Sequence, residues 1–214
     1  MKVGIIGSGP VGQILAQAFK AEDNEVMLGT RDLSKEEVIK FSKENNIEAG
    51  TFENVAKFGD VVVICTKGSA AENALSLAGA QNLSGKIIID TTNPIAASAP
   101  VNGVLEYFTN INKSLMEELQ EKYPDAKFVK AFNSVGNTLM YKPQLQGGKP
   151  SMFICGNDDG AKKTVTGILE TFGWETEDMG KAEAARAIEP LCMLWCIPGF
   201  LQNEWTHAFK LLKP

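Results

Sequence analysis

"KVGIIGSGPVG", Lys2 to Gly12, is the stretch on which the fold turns. "KVGIIG" has the apolar, β-branched character of a strand, and an amphipathic run from Val11 to about Ala21 has the period of a helix. Between them Gly7, Gly9 and Gly12 stand at G-x-G-x-x-G spacing, with Ser8, Pro10 and Val11 filling the loop and the first turn. Gly7 lets the chain turn sharply. Gly9 lets the backbone approach a pyrophosphate with no Cβ in the way, and Gly12 lets the helix pack close to the strand. The helix start then offers unpaired N–H groups and a partial positive charge to phosphates. The spacing alone is common; a strand before it and a helix after it make it a dinucleotide cradle.

Outward from the cradle, short apolar runs alternate with amphipathic ones. "EVMLGT" (25–30) reads as a second strand, and its helix is expected to open at "DLSKEEV", where Ser34 and Glu37 have capping-box spacing. "EAGTF" (48–52) is a weak third strand. "DVVVICT" (60–66) and "KIIIDTT" (86–92) are nearly continuous apolar runs, as parallel strands buried on both faces should be. "SLMEELQEKYP" (114–124) reads as a helix stopped by Pro124, and "KFVKAFN" (127–133) as the sixth strand. The alternation predicts an α/β, doubly wound, mostly parallel sheet. After a loop over 142–150 come a strand at "SMFICG" (151–156), a helix from about Asp159 to Phe172, a strand at "WETEDMG" (174–180), and a helical segment interrupted at Pro190 and Pro198. We expect one nucleotide-binding domain over 1–214, with a core at about 1–133 and a short C-terminal strand-helix extension at about 150–214, on the core's far edge.

"MLGTRD" (27–32) closes the second strand, and Thr30 lies eighteen residues beyond Gly12, close to where an NAD-binding fold places an acid on the adenosine ribose. Here the position holds Thr30 and Arg31. A hydroxyl and a guanidinium suit a 2′-phosphate, and the guanidinium can also lie against adenine. NADP(H) is therefore the expected coenzyme. Asp32 is the rival ribose ligand, although its place suits the front of the next helix, shared with Ser34.

In such sheets the ligand lies across the carboxyl ends of the strands. Those ends read "CTKGSA", "DTTNP" and "AFNSVGN". Thr66 and Lys67 are candidates for the pyrophosphate or ribose. Asn93, Pro94, Phe132 and Asn133 are expected near the nicotinamide, an amide orienting its carboxamide and an apolar ring walling one face. Turn chemistry accounts equally well for either asparagine taken singly. No His, Lys or Tyr stands out as a general acid, which a ketone reductase would need. Hydride exchange with a flavin-type ring needs mainly stacking and orientation.

The bulk numbers restrict the partners. With 44% apolar and 22% charged residues the 214-residue chain can bury a sizeable core. A net charge of −5 argues against a general nucleic-acid or membrane-surface binder. The first strand begins at the second residue, so no leader is expected, and the broken run "PLCMLWCIPGFL" is too short to span a bilayer. A cytoplasmic protein is expected. The four cysteines suit packing better than a disulfide framework or a metal site, and His207, the only histidine, suits a structural or solvent-facing role.

Read together, "KVGIIGSGPVG", "LGTRD", "DTTNP", "KAFNSVG", "MFICGNDDGAKKTV" and "GWETEDMGKAEAARAIEP" resemble the NADP oxidoreductases that depend on the deazaflavin coenzyme F-420. They are also similar to the oxidoreductase domain of the six-transmembrane metalloreductases. The resemblance implies a single Rossmann-type domain, often dimeric, with NADPH held at Gly7 to Val11 and its 2′-phosphate on Thr30 and Arg31. It also implies a deazaflavin or flavin facing the nicotinamide near Asn93, Pro94 and Asn133. Three functions are expected to compete: reduction of such a ring; reduction of an imine or small carbonyl, for which about 65 residues after Pro150 leave little room for a helical substrate domain; and NADP(H) sensing without turnover, with Leu191 to Leu201 as a contact surface.

Overall fold

The computed structural model describes all residues, Met1–Pro214. Eight strands form one sheet: β1 (Lys2–Ile6), β2 (Glu25–Gly29), β3 (Glu48–Gly50), β4 (Val61–Ile64), β5 (Ile87–Asp90), β6 (Lys127–Lys130), β7 (Ser151–Gly156) and β8 (Glu175–Asp178). Their order is β3-β2-β1-β4-β5-β6-β7-β8. All neighbours are parallel except β6 and β7, which are antiparallel and paired only at Val129 with Gly156 and Lys130 with Cys155. The helices are α1 (Pro10–Ala21), α2 (Glu36–Asn45), α3 (Phe52–Phe58), α4 (Gly68–Ala78), α5 (Ala80–Leu83), α6 (Leu115–Lys122), α7 (Asp159–Thr171) and α8 (Ala185–Gln202).

The unbroken apolar runs have a simple cause. Successive side chains on a strand point to opposite faces, and here both faces are covered. Ile5, Val61, Val63, Ile89 and Val129 enter one core with α1 and α7, lined by Phe19, Phe172 and Trp174. Ile6, Val62, Ile64, Ile88 and Phe128 enter the other, with α3, α4 and α6. Fully burying each such side chain is worth about 1.5–3 kcal/mol.

Several local expectations are corrected. β3 stops at Gly50 because Thr51 caps α3, a helix not foreseen, through a reciprocal box with Asn54. α2 opens at Glu36 with Lys35 at the cap and no capping side chain. The Ser34 hydroxyl instead donates to Asp32 Oδ1 at 2.5 Å, and the Ser34 N–H to the same oxygen at 2.9 Å, a local turn. α8 runs unbroken through Pro190 and Pro198. With the turn before it, the helical segment Ala182–Gln202 is long and apolar enough by length and composition to cross a membrane, contrary to the reading from the broken run. In the fold its first half is tied to the core: Ala182, Ala185 and Ile188 are buried there. The sequence expectation put the C-terminal segment on the far edge, and β7 and β8 lie there. α8 instead returns to the start of α6.

The unusual residues settle into packing. Trp195 Nε1 donates to the His207 carbonyl at 2.8 Å, and the His207 ring meets the Trp195 carbonyl at 3.0 Å, so the histidine fastens the chain end to α8. Cys192 and Cys196 sit one turn apart on that helix; bonding to Cys196 and burial push the Cys192 thiol up, while the same bond holds Cys196 down.

Candidate functional site

The strand order reverses between β1 and β4, where ligands of open α/β sheets bind. The turn after β1 is built on glycines for steric reasons. Gly7 has φ +122°, and a Cβ there would stand 2.6 Å from the Cys65 carbonyl oxygen. A Cβ on Gly12 would stand 1.9 Å from the Gly7 oxygen. Gly9 is different, since a Cβ there would meet nothing within 4 Å and would project into open space. That space is a cleft of about 720 Å³ lined by Gly7 to Val11, Thr30 to Asp32, and the β4 end at Cys65 to Lys67.

Two helices point uncapped N-termini at this region. α1 starts with Pro10 and has no side-chain cap and no acid in its first turn. α4 starts after Lys67 with neither as well. By contrast Ser114 and Asp158 cap α6 and α7 elsewhere. A helix start left without its own acceptor is suited to an anion. Thr66 Oγ1 is buried without a hydrogen-bond partner at the same place. The open space at Gly9, the uncapped helices and the orphan hydroxyl fit a dinucleotide's pyrophosphate.

At the β2 end of the cleft Arg31 is exposed on the lining and makes no ion pair. Thr30 is 4% exposed, and its hydroxyl is engaged with the Asp32 backbone N–H and carbonyl, both at 3.2 Å, rather than free. The Asp32 carboxyl is held below the usual range by its bonds from Ser34, so the rival ribose acid is committed to a local turn through one oxygen. Lys35 also lines the cleft, 3.6 Å from Glu37. Sequence reading missed it; its signal was a second cation four residues after Arg31.

A second cleft of about 760 Å³ adjoins the first and shares Val11 and Cys65 to Lys67 with it. Its floor is the end of β5, Thr91 to Asn93, and its far wall is Ile95 and Phe108 from the long connection to α6. The connection is braced where it begins, since the Phe108 N–H donates to the Pro94 carbonyl at 2.9 Å. Close contact with α4 is allowed by Gly68, where a Cβ would fall 1.9 Å from the Asn93 oxygen.

Of the four residues expected around the nicotinamide, Asn93 alone lines this cleft. Asn93 Nδ2 donates to the Asn133 carbonyl at 2.7 Å, and Asn133 Nδ2 donates to Asn93 Oδ1 at 3.1 Å. Asn133 is 3% exposed and stands behind the wall as a brace. Pro94 is buried. The expectation for Phe132 is corrected: with φ +61° its ring turns into the core, 6.1 Å from Phe172, and not onto the cleft. Ile95 and Phe108, in a loop with no periodic pattern, supply the apolar wall instead.

The titratable groups on the second cleft are few. Burial pushes the Cys65 thiol far up. Lys67 is exposed at the rim. Tyr107, beside Phe108, is turned away and donates to the Glu189 carbonyl at 2.7 Å.

A doubly wound sheet with this cradle is the fold of Rossmann-type NADP-dependent oxidoreductases. The family described as NADP oxidoreductase, coenzyme F420-dependent, matches residues 2–94. A solved structure described as an F420-dependent NADP-reductase from Arthrobacter sp. FB24 is 32% identical, covers 100% of both chains and superposes with a TM-score of 0.94. The chain belongs to this family. The metalloreductase STEAP3 of Rattus norvegicus is 28% identical over 213 residues, 94% of this chain and 39% of that protein, so the chain spans about two fifths of its length. An imine reductase from Aspergillus terreus, solved with NADPH4 and dibenz[c,e]azepine, shares the fold at a TM-score of 0.68 and 14% identity, over 94% of this chain and 63% of that one.

Proposed function

We propose that the protein transfers hydride between NADP(H) and a flat acceptor of deazaflavin or flavin type, acting as a single NADP-binding domain in the cytoplasm. The observation that carries this is the lining of the second cleft, which contains no histidine, tyrosine or carboxylate and whose one lysine, Lys67, is exposed at the rim. Reducing a carbonyl calls for a positioned proton donor at the oxygen. A flavin-type ring accepts hydride at one atom and takes its proton from solvent at another, so the protein need only hold two rings face to face. Val11, Ile95 and Phe108 supply apolar surfaces for that, and Thr91, Thr92 and Asn93 a polar floor. Arg31, with Lys35 beside it, holds the 2′-phosphate, and the uncapped ends of α1 and α4 hold the pyrophosphate.

The balance is NADPH plus a proton plus oxidised ring giving NADP⁺ plus reduced ring. The test is to mix protein, NADPH and the deazaflavin and follow the deazaflavin absorbance, with riboflavin and FMN in parallel. Turnover with at least one ring is expected. If none turns over while cyclic imines or oxo-acids do, the protein is a small-substrate reductase. If NADPH binds tightly and nothing oxidises it, the protein is a sensor.

A further inference from the structure

Behind the second cleft lie one lysine and two carboxylates without access to water. Lys130 and Asp90 are 0% exposed and Glu189 is 2% exposed. Lys130 Nζ is 2.7 Å from Asp90 Oδ2 and 2.8 Å from Glu189 Oε1, and donates to the Thr92 carbonyl at 2.8 Å. The Glu189 carboxylate also accepts the first two N–H groups of α6, from Leu115 and Met116, each at 3.0 Å. Asp90 Oδ1 accepts from the Thr92 N–H at 2.9 Å and its hydroxyl at 2.7 Å. One ammonium thus joins β5, β6 and α8, and α8 joins α6.

A buried ion cluster is a poor source of net stability, because taking the charges out of water costs about as much as their attraction returns. What it supplies is a fixed arrangement, and the contacts show what is arranged. Thr92 and Asn93 are the cleft floor. Asn133, the brace of Asn93, donates its other amide hydrogen to the carbonyl of Ile188, the residue before Glu189, at 3.0 Å. The Glu189 carbonyl holds Tyr107, whose neighbour Phe108 is the far wall. Each of these polar contacts from Ile188 and Glu189 reaches the second cleft's frame or the start of α6, and none reaches Gly7 to Val11 or Thr30 to Asp32.

We propose that Glu189, acting through Lys130 and Asp90, is a positioning residue for the nicotinamide half of the cleft, so that α8 sets the orientation of the reacting ring while the N-terminal half sets coenzyme affinity. The inference rests on the reading that the nicotinamide lies over Thr92 and Asn93.

Two readouts test it, one of them independent of any acceptor: the change in reduced-nicotinamide fluorescence when NADPH binds, and kcat with its KM for NADPH. Glu189→Ala is expected to leave the NADPH Kd within about threefold, to abolish the fluorescence change, and to lower kcat about tenfold or more, as misplacement of reacting groups does. Glu189→Gln, which can still accept from Lys130, is expected to restore much of both. Arg31→Ala is expected to lose NADPH affinity, the readout that Glu189→Ala leaves nearly unchanged. If Glu189→Ala folds poorly, Asp90→Asn is measured in its place with the same expectation. Parental fluorescence and kcat in the alanine or asparagine variant, with only a lower Tm, would overturn the proposal and leave the cluster a structural staple. No fluorescence change in the parent would overturn the coenzyme reading with it, whereas a fluorescence change without turnover would count only against the choice of acceptor.

Discussion

Arg31 and Gly12 show how much a single residue can decide. Arg31 is exposed and unpaired, so its charge is available to a dianion, and a hydrogen bond to a charged group is worth about 1.5–3 kcal/mol. Arg31→Ala is expected to weaken NADPH about 10- to 100-fold and to leave NADH unchanged, measured by titrating each coenzyme. Gly12 permits close packing only because it has no Cβ: one added there would meet the Gly7 oxygen at 1.9 Å. Gly12→Ala is expected to lower Tm and remove coenzyme binding together, seen by thermal melts with and without NADPH. The place of both residues beside the cradle was legible from spacing alone. The residues lining the second cleft were not, Asn93 apart, because the direction of a side chain past a strand end depends on how the chain turns there. Phe132 adopts a left-handed conformation and swings inward, and nothing in "KAFNSVG" announces it. Tyr107 and Phe108 are adjacent yet face α8 and the cleft respectively, which only the folded loop decides.

The helices divide by how they begin. At α3, α6 and α7 a side chain closes the start, and at α6 Ser114 accepts from the Glu117 N–H while Glu117 accepts from the Ser114 N–H and hydroxyl. Glu117 is also gripped by Arg186 of α8, its Nε lying 3.1 and 3.0 Å from the two carboxylate oxygens. Burial works to raise this carboxyl, but Arg186 and Ser114 outweigh it and hold the pKa at about 2, against an ordinary 4.5. A depressed carboxyl stabilises the fold fully above its unfolded pKa, and that stabilisation fades as pH falls toward the folded one. The contribution, at most about 3 kcal/mol, should therefore disappear between about pH 4.5 and about pH 2. Arg186→Met is expected to lower stability most at pH 7 and hardly at all near pH 2, so that the loss shrinks on acidification, read by urea melts across that range.

At this scale the sequence was informative where apolar period and caps agreed. "SMFICG" is β7 residue for residue, and α7 ends one residue from its expected limit. It misled where a short helix of seven residues, α3, offered too few turns for a period to show. It misled again at Pro190 and Pro198, because tertiary contacts kept α8 continuous. A proline removes one helical hydrogen bond, and the contacts of Glu189 and Trp195 offset that loss.

Across the whole molecule, the doubly wound, mostly parallel sheet followed from the β-α-β rhythm, but the return of α8 did not. Asp90, Lys130 and Glu189 are far apart in the chain, and buried charges that meet only in the fold leave no local pattern. Their joint burial carries a cost when one is removed. Lys130→Met would leave two carboxylates facing each other in an apolar setting and is expected to destabilise the protein by about 3–5 kcal/mol in urea unfolding. A larger loss than any surface ion pair can give, typically below about 1 kcal/mol, would mark the cluster as the join between the two halves of the fold.

The antiparallel step in the sheet has its own consequence. β6 and β7 share two residue pairs, whereas β7 and β8 share four and β1 and β2 share five. A seam that narrow favours opening in parts, since local unfolding follows the boundaries where the fewest bonds cross. In heavy water, the amides of β7, α7 and β8 should exchange as a block, with one common opening energy, before those of β1, β4 and β5 begin to.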